Sequence, residues 1–149
     1  MHNIFDHFIL GEQAYTQTII PVCEQYCLTY AEMTVLLFLA NNPAHDTASD
    51  ISKYRNLAKS HVSVTVRSLE ERGLITKEYH GENRRSVHLS LTEQAASIVN
   101  AGREAQNRFG ELLFEGVTDD EKRIMNEILK KVDRNVEVYV KGVEKSNAE

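Results

Sequence analysis

The 149-residue sequence predicts a mainly α-helical fold carrying one small β-hairpin. Three observations lead there. Apolar residues recur at helical spacing over most of the chain, and two Thr-x-x-Glu boxes, Thr29 to Glu32 and Thr118 to Glu121, announce helix starts. The period changes to two only between residues 74 and 91. A hydrophobic fraction of 42% with 26% charge excludes wholesale disorder. No run approaches the ~18 consecutive apolar residues of a membrane helix. The first residues lack the order of a signal peptide, and two cysteines are too few for a stapled secreted scaffold. One domain over 1–149, in the cytoplasm, is expected.

The elements follow in order. Residues 3–20 place Phe8, Ile9, Tyr15 and Ile19 at helical spacing, and Pro21 disfavours continuation. The Thr29 box opens a helix whose Met33–Ala40 stretch is apolar all round, which predicts a central, buried position ending at Asn41-Asn42-Pro43. Thr47-Ala48-Ser49-Asp50 starts a short helix with Ile51 and Tyr54. After a turn at Arg55–Ala58, a third runs from Lys59 to Arg72 with Val62, Val66 and Leu69 inward, and Gly73 ends it. Leu74–Tyr79 and Val87–Leu91 read as strands joined by the polar tip His80–Arg85.

Two more helices follow. One starts at Thr92-Glu93 and carries Ala95, Ile98, Val99, Phe109, Leu112 and Leu113. The other starts at Thr118 and carries Met125, Ile128, Val132, Val136, Tyr139 and Val143 over roughly 22 residues. Apolar stripes at both chain ends, about 1–28 and 93–145, are best buried against each other and against a second copy around a core of about 29–92. A homodimer is expected.

The net charge of −5 hides a segregation. Residues 1–52 contain six acids and no Lys or Arg, residues 53–92 carry +4, and residues 93–149 carry −3. A basic middle between acidic ends marks where a polyanion docks. The same segment reads as a helix-turn-helix followed by a β-hairpin wing, a geometry suited to duplex DNA. Its second helix would enter the major groove. Ser60, Ser63 and His61 can meet base edges or phosphates, Val64 a thymine methyl, and Arg67 a phosphate or guanine. Lys53, Arg55 and Lys59 would neutralise phosphates around the turn, with Arg84 and Arg85 at the hairpin tip tracking the backbone or minor groove.

These residues also carry a resemblance. Asp50-Ile51-Ser52, Ser60 through Arg67, the run Leu69-Glu70-Glu71-Arg72-Gly73-Leu74-Ile75 and the wing Asn83-Arg84-Arg85-Ser86 to Leu91-Thr92 resemble the MarR (multiple-antibiotic-resistance regulator) family. The resemblance spans nearly the whole chain. It implies a winged helix-turn-helix with N- and C-terminal dimerisation helices. It further implies a homodimer that binds pseudo-palindromic operators in double-stranded DNA, usually represses transcription, and loses DNA when a small molecule, metal or oxidant acts. The wing departs from the family's Asp-x-Arg-Asp-x-Arg pattern: Glu82 stands where the minor-groove Arg usually sits, leaving Arg84 as the candidate for that role, and Asn83 replaces an acid.

Other sites are weighed on their chemistry. Cys23 and Cys27 would share a face were this segment helical, and a redox switch is one reading. Buried packing is the other, favoured because Glu24 is adjacent and no cation precedes residue 53. His7, Tyr15, Tyr26 and Tyr30 are candidate linings of an effector pocket, or plain packing. The six His form no metal-ligand spacing, and no metal or cofactor is expected. No phosphate loop, nucleophile elbow or paired-carboxylate motif is present, so the chain is read as a non-enzyme. The rival reading is a winged-helix module that holds a protein partner and no DNA.

Overall fold

A computed structural model of the chain describes residues 3–79 and 87–146. The helices are α1 (Ile4–Gln25), α2 (Tyr30–Asn41), α3 (Ala48–Arg55), α4 (Lys59–Glu71), α5 (Ala96–Leu113) and α6 (Asp119–Ser146). Strands β1 (Ile75–Tyr79) and β2 (Val87–Leu91) lie between α4 and a short 3-10 turn, Glu93–Ala95, that leads into α5. The chain divides into two compact units, Met1–Gly110 and Glu111–Glu149.

Within the first unit, α2 is the central element that its apolar sequence predicts. Met33, Val35, Leu36, Leu37, Phe38 and Leu39 are all buried, and Thr34 alone in this stretch is partly open to water. Ile19 from α1, Ile51 from α3, Val62, Val66 and Leu69 from α4, Ile75 from β1 and Ile98 from α5 complete the core. The strands pair antiparallel with Ile75 opposite Leu91, Lys77 opposite Leu89 and Tyr79 opposite Val87.

Helix α1 does not stop at Pro21. It continues to Gln25 with the proline inside it, which corrects the expected end near residue 20. Pro21 lacks the N–H that would bond the Gln17 carbonyl, but both residues lie on the exposed face, where water can satisfy that oxygen. On the opposite side Ile19, Val22 and Cys23 are buried, and their packing carries the helix through one more turn.

That turn ends in a Schellman cap. The Leu28 N–H bonds the Cys23 carbonyl at 2.8 Å and the Cys27 N–H bonds the Glu24 carbonyl at 3.2 Å, with Cys27 in the left-handed region at φ 52. Helix α4 ends the same way. Leu74 N–H reaches Leu69 O, Gly73 N–H reaches Glu70 O, and Gly73 sits at φ 68.

Three helix ends meet at Glu32. Its carboxylate accepts from the Thr29 N–H (2.8 Å) and hydroxyl (3.0 Å), completing the capping box of α2. It also accepts from the Ser68 hydroxyl of α4 at 2.7 Å, and the Arg72 guanidinium approaches to 3.7 Å. Arg72 in turn donates to the carbonyls of Cys27 and Tyr26, in the cap that follows α1. Glu32 is only 5% exposed. Burial pushes its carboxyl up, yet the bonds from the Thr29 amide, Ser68, the Thr29 hydroxyl and the Arg72 charge outweigh that and hold it below the ordinary range.

In the second unit, Thr118 and Glu121 form the predicted capping box, with the Thr118 N–H and hydroxyl both 2.8 Å from the Glu121 carboxylate. Helix α6 then runs for 28 residues, about 42 Å, longer than the roughly 22 expected. Ile124, Met125, Ile128, Leu129, Val132, Val136, Tyr139 and Val140 along it are 38–73% exposed.

Replacing Glu32 with Ala strands the donors of Ser68, Thr29 and Arg72, and should cost about 3 kcal/mol at neutral pH in urea denaturation. Because the carboxyl is held low, its stabilisation is present above the unfolded value of about 4.3 and is lost as pH falls through the lower folded value. The stability gap between wild type and Glu32→Gln should therefore shrink below about pH 4. For Gly73→Ala the new Cβ would meet Gln94 Oε1 at 2.8 Å, the movable end of a long side chain. The left-handed backbone then dominates, and the expected loss is about 1 kcal/mol.

Candidate nucleic-acid interface

Helices α3 and α4 are set at their angle by a turn of three residues, 56–58. Thr47 and Asp50 form a capping box that starts α3, the two side chains 2.6 Å apart. Asn56 ends it at φ 50, a conformation that asparagine tolerates better than most residues. The Ser52 carbonyl accepts from the N–H groups of Asn56 and Leu57, and the Ser52 hydroxyl closes back onto the Leu57 carbonyl at 2.6 Å. These bonds satisfy the amides of Asn56 and Leu57 and the carbonyls of Ser52 and Leu57.

Helix α4 buries Val62, Thr65, Val66 and Leu69. Sequence reasoning missed Thr65, whose hydroxyl is turned back onto the His61 carbonyl at 2.9 Å and so brings no unpaired group into the core. The opposite face presents Ser60, His61, Ser63, Val64 and Arg67, all exposed, with Val64 at 62%. An apolar valine this open adjoining serines, histidine and arginine is a contact surface chemically suited to base edges.

The start of α4 breaks the capping rule that α2, α3 and α6 obey. Its N-cap is Ala58, with no side-chain hydrogen bond, and its first turn contains no acid. The leading amides have no intrahelical partner and, with Lys59 beside them, favour an anion such as a phosphate. Lys53 and Arg55 are exposed in the last turn of α3. Each cation is near an aromatic ring: Lys53 Nζ is 5.9 Å from the Tyr54 ring and the Arg55 guanidinium 5.2 Å from the Phe38 ring. Arg84 and Arg85, with the rest of the hairpin tip, lie outside the described residues. The root of the wing is tied down instead by contacts the sequence did not announce. His88 Nδ1 is 2.8 Å from the Asp46 carboxylate and the Leu89 N–H bonds the Asp46 carbonyl, fastening β2 to the loop before α3.

A cavity of about 470 Å³ opens behind this face, between α1, α2, the α3 end and α4. Tyr15 and Tyr30, two of the four candidate lining residues, are on its wall, together with Arg55 and His61 from the α3–α4 pair. Tyr26 and His7 are elsewhere: Tyr26 is half-buried with its hydroxyl 3.5 Å from the Ser97 carbonyl, and His7 is exposed on α1. The Tyr15 hydroxyl accepts from Gln106 at 2.7 Å, and its ring meets Phe109 edge-on at 5.5 Å. Burial pushes the Tyr15 phenol above its usual value, against the lowering effect of Gln106. Among the described residues no cluster of three His, Cys, Asp or Glu could hold a metal, and no helix is long and apolar enough to cross a membrane.

Residues 28–86 match a family model described as MarR family. The chain is 23% identical over 105 residues to the uncharacterized HTH-type transcriptional regulator YdgJ of Bacillus subtilis (strain 168), a match covering 70% of this chain and 62% of that relative. Among solved structures, a MarR protein from Peptoclostridium difficile superposes with a TM-score of 0.77 at 22% identity, covering 91% of this chain and 88% of its own. The S. aureus MepR–DNA complex gives 0.74 at 20% identity, with coverages of 91% and 99%. At these identities the structural likeness establishes a shared fold.

The cap that ends α1 separates the two thiols. Cys27 lies beyond the helix end with a left-handed backbone and is exposed, so it does not share a helical face with Cys23. Cys23 is 4% exposed, and burial pushes its thiol up, with Glu24 and Glu32 adding to the effect. It is therefore a poor nucleophile. In the native protein a disulfide reagent should modify Cys27 at once and Cys23 only at the rate at which the fold opens. A Cys27→Ala variant should then release no chromophore before denaturant is added.

Proposed function

We propose that the chain, whose residues 28–86 match a family model described as MarR family, is a transcriptional regulator that binds double-stranded DNA as a homodimer. Helix α4 enters the major groove with Ser60, His61, Ser63, Val64 and Arg67 toward the bases. Lys53, Arg55 and Lys59 contact phosphates at the turn, and Arg84 and Arg85 act from the wing. The observation that carries this reading is the exposed face of α4 beside an uncapped, cation-flanked helix start.

Two such helices related by a two-fold axis read two half-sites about 34–36 Å apart, so the operator is a pseudo-palindrome. Bound across a promoter in the cytoplasm, the dimer represses. Release follows from a signal that binds the DNA-incompetent state better than the competent one. The cavity favours a small molecule as that signal, and the buried, high-pKa Cys23 disfavours an oxidant. No catalytic role is assigned.

The test is a titration of the full chain with a duplex from upstream of its own gene, followed by fluorescence anisotropy across salt concentrations. Arg67→Ala should weaken binding about tenfold and reduce the salt slope by about one if it meets a phosphate. An unaltered slope with relaxed sequence preference would move Arg67 to a base edge, and unchanged binding would remove it from the interface.

A further inference from the structure

The root of the wing is held from two sides. On one edge β2 pairs with β1. On the other the loop before α3 lies against it: Thr47 bridges His88, the Leu89 N–H bonds the Asp46 carbonyl at 2.8 Å, and His88 Nδ1 is 2.8 Å from the Asp46 carboxylate. With Asp46 ionised, the ring must donate from Nδ1. Leu89 is buried, so packing fixes the backbone bond. The side-chain pair is different, for both groups are about a third exposed, at 30% and 38%, and solvent protons reach them. The strand register also sets Glu78 of β1 opposite His88, on the same face of the hairpin. A histidine thus stands beside two carboxylates, and imidazole is the side chain that ordinarily changes charge between about pH 5 and pH 8. The other charged residues of the elements packed on β2 have their own contacts: Lys77 of β1 pairs with Glu70, and Asp50 of α3 meets Thr47 and His45. Lys53 and Arg55 of α3 are near rings, and Glu32 of α2 belongs to the junction with α4.

We propose that Asp46 and His88 form a proton-sensitive clasp that positions the wing, so that protonation of the ring holds β2 against the start of α3 and strengthens duplex binding as pH falls. This rests on the DNA-binding reading above, in which α3, α4 and the wing meet one duplex together. The neutral ring makes an ordinary hydrogen bond to the carboxylate, and the protonated ring a charge-assisted one, roughly twice as strong. A wing better fixed at its root has less freedom to lose on binding. The arrangement that binds DNA then holds the proton more tightly than the free protein does. Binding takes up protons, and affinity falls as pH rises through the titration of the ring. Neither residue needs to touch the duplex; both are positioning residues.

The experiment titrates the full chain with a duplex from upstream of its own gene by fluorescence anisotropy, at fixed ionic strength and at about pH 5.5 and about pH 8, the two sides of the imidazole range. Wild type is compared with His88→Gln and Asp46→Asn, each of which keeps a hydrogen-bonding side chain and removes one charge. His61, exposed on α4, brings a pH dependence of its own that both variants retain. Beyond that shared part, wild type should bind about fivefold tighter at the lower pH, a factor of about two from each wing of the dimer. Either variant should lose all of this difference. A second readout needs no DNA. Protection of the Leu89 amide against hydrogen exchange, taken relative to His88→Gln, should be about twofold greater at the lower pH. The proposal is overturned if His88→Gln has the wild-type pH profile, if the Leu89 ratio is flat, or if Asp46→Asn keeps the difference, which would make His88 a plain surface charge. Failure to bind any duplex, with the Leu89 ratio as expected, would sink the regulatory reading and the role of the wing together while leaving the clasp itself standing.

Discussion

Glu32 is a carboxylate withdrawn from water where α1, α2 and α4 end or begin; its hydrogen bonds tie α2 to α4, and its ion pair with Arg72 extends the tie to the cap of α1. A buried charge without partners would neutralise or unfold its surroundings. Here three hydrogen-bond donors and the Arg72 guanidinium converge on it, and Arg72 also holds the two carbonyls that follow α1. The two oxygens divide the work: Oε2 serves the Thr29 cap and faces Arg72, while Oε1 takes the Ser68 hydroxyl. Helix α4 is thereby fastened at its C-terminal half, and the α3–α4 turn holds its start through Ser52 and Leu57. A helix secured at both ends can leave its outer face and its first amides free for another molecule.

The departure of α4 from the capping rule is consistent with that division. In α2, α3 and α6 a threonine and an acid three residues on satisfy the first amides locally. On the proposed DNA-binding reading, an acid in the first turn of α4 would repel the phosphate expected there. Ala58 and Lys59 forgo a cap worth about 1 kcal/mol, and packing of Val62, Val66 and Leu69 makes up the difference. Where a chain gives up a local rule that it follows elsewhere, function is a reasonable cause.

What the sequence disclosed was the part of the fold that is local. The boxes at Thr29, Thr47 and Thr118, the glycine at residue 73, the buried face of α4 and the period-two strands all depend on neighbours within a turn or two, and the structure reproduces them. Pro21 misled because the prohibition on helical proline is weaker on a solvent-facing side. Cys27 misled because a four-residue spacing says nothing about a left-handed cap in between. Arg72 looked like one more cation of a basic block, and only its contacts 45 and 46 residues away reveal a structural role. The Asp46–His88 pair and the cavity belong to the same class, since neither has any signature short of the tertiary arrangement.

The apolar seam of α6 completes the argument for a second copy. Met125, Ile128, Val132, Val136 and Tyr139 stand in water along a helix of 28 residues. Leaving such a stripe uncovered is unfavourable by about 25 cal/mol for each Å² of apolar surface, and a two-fold partner offers an identical stripe to cover it.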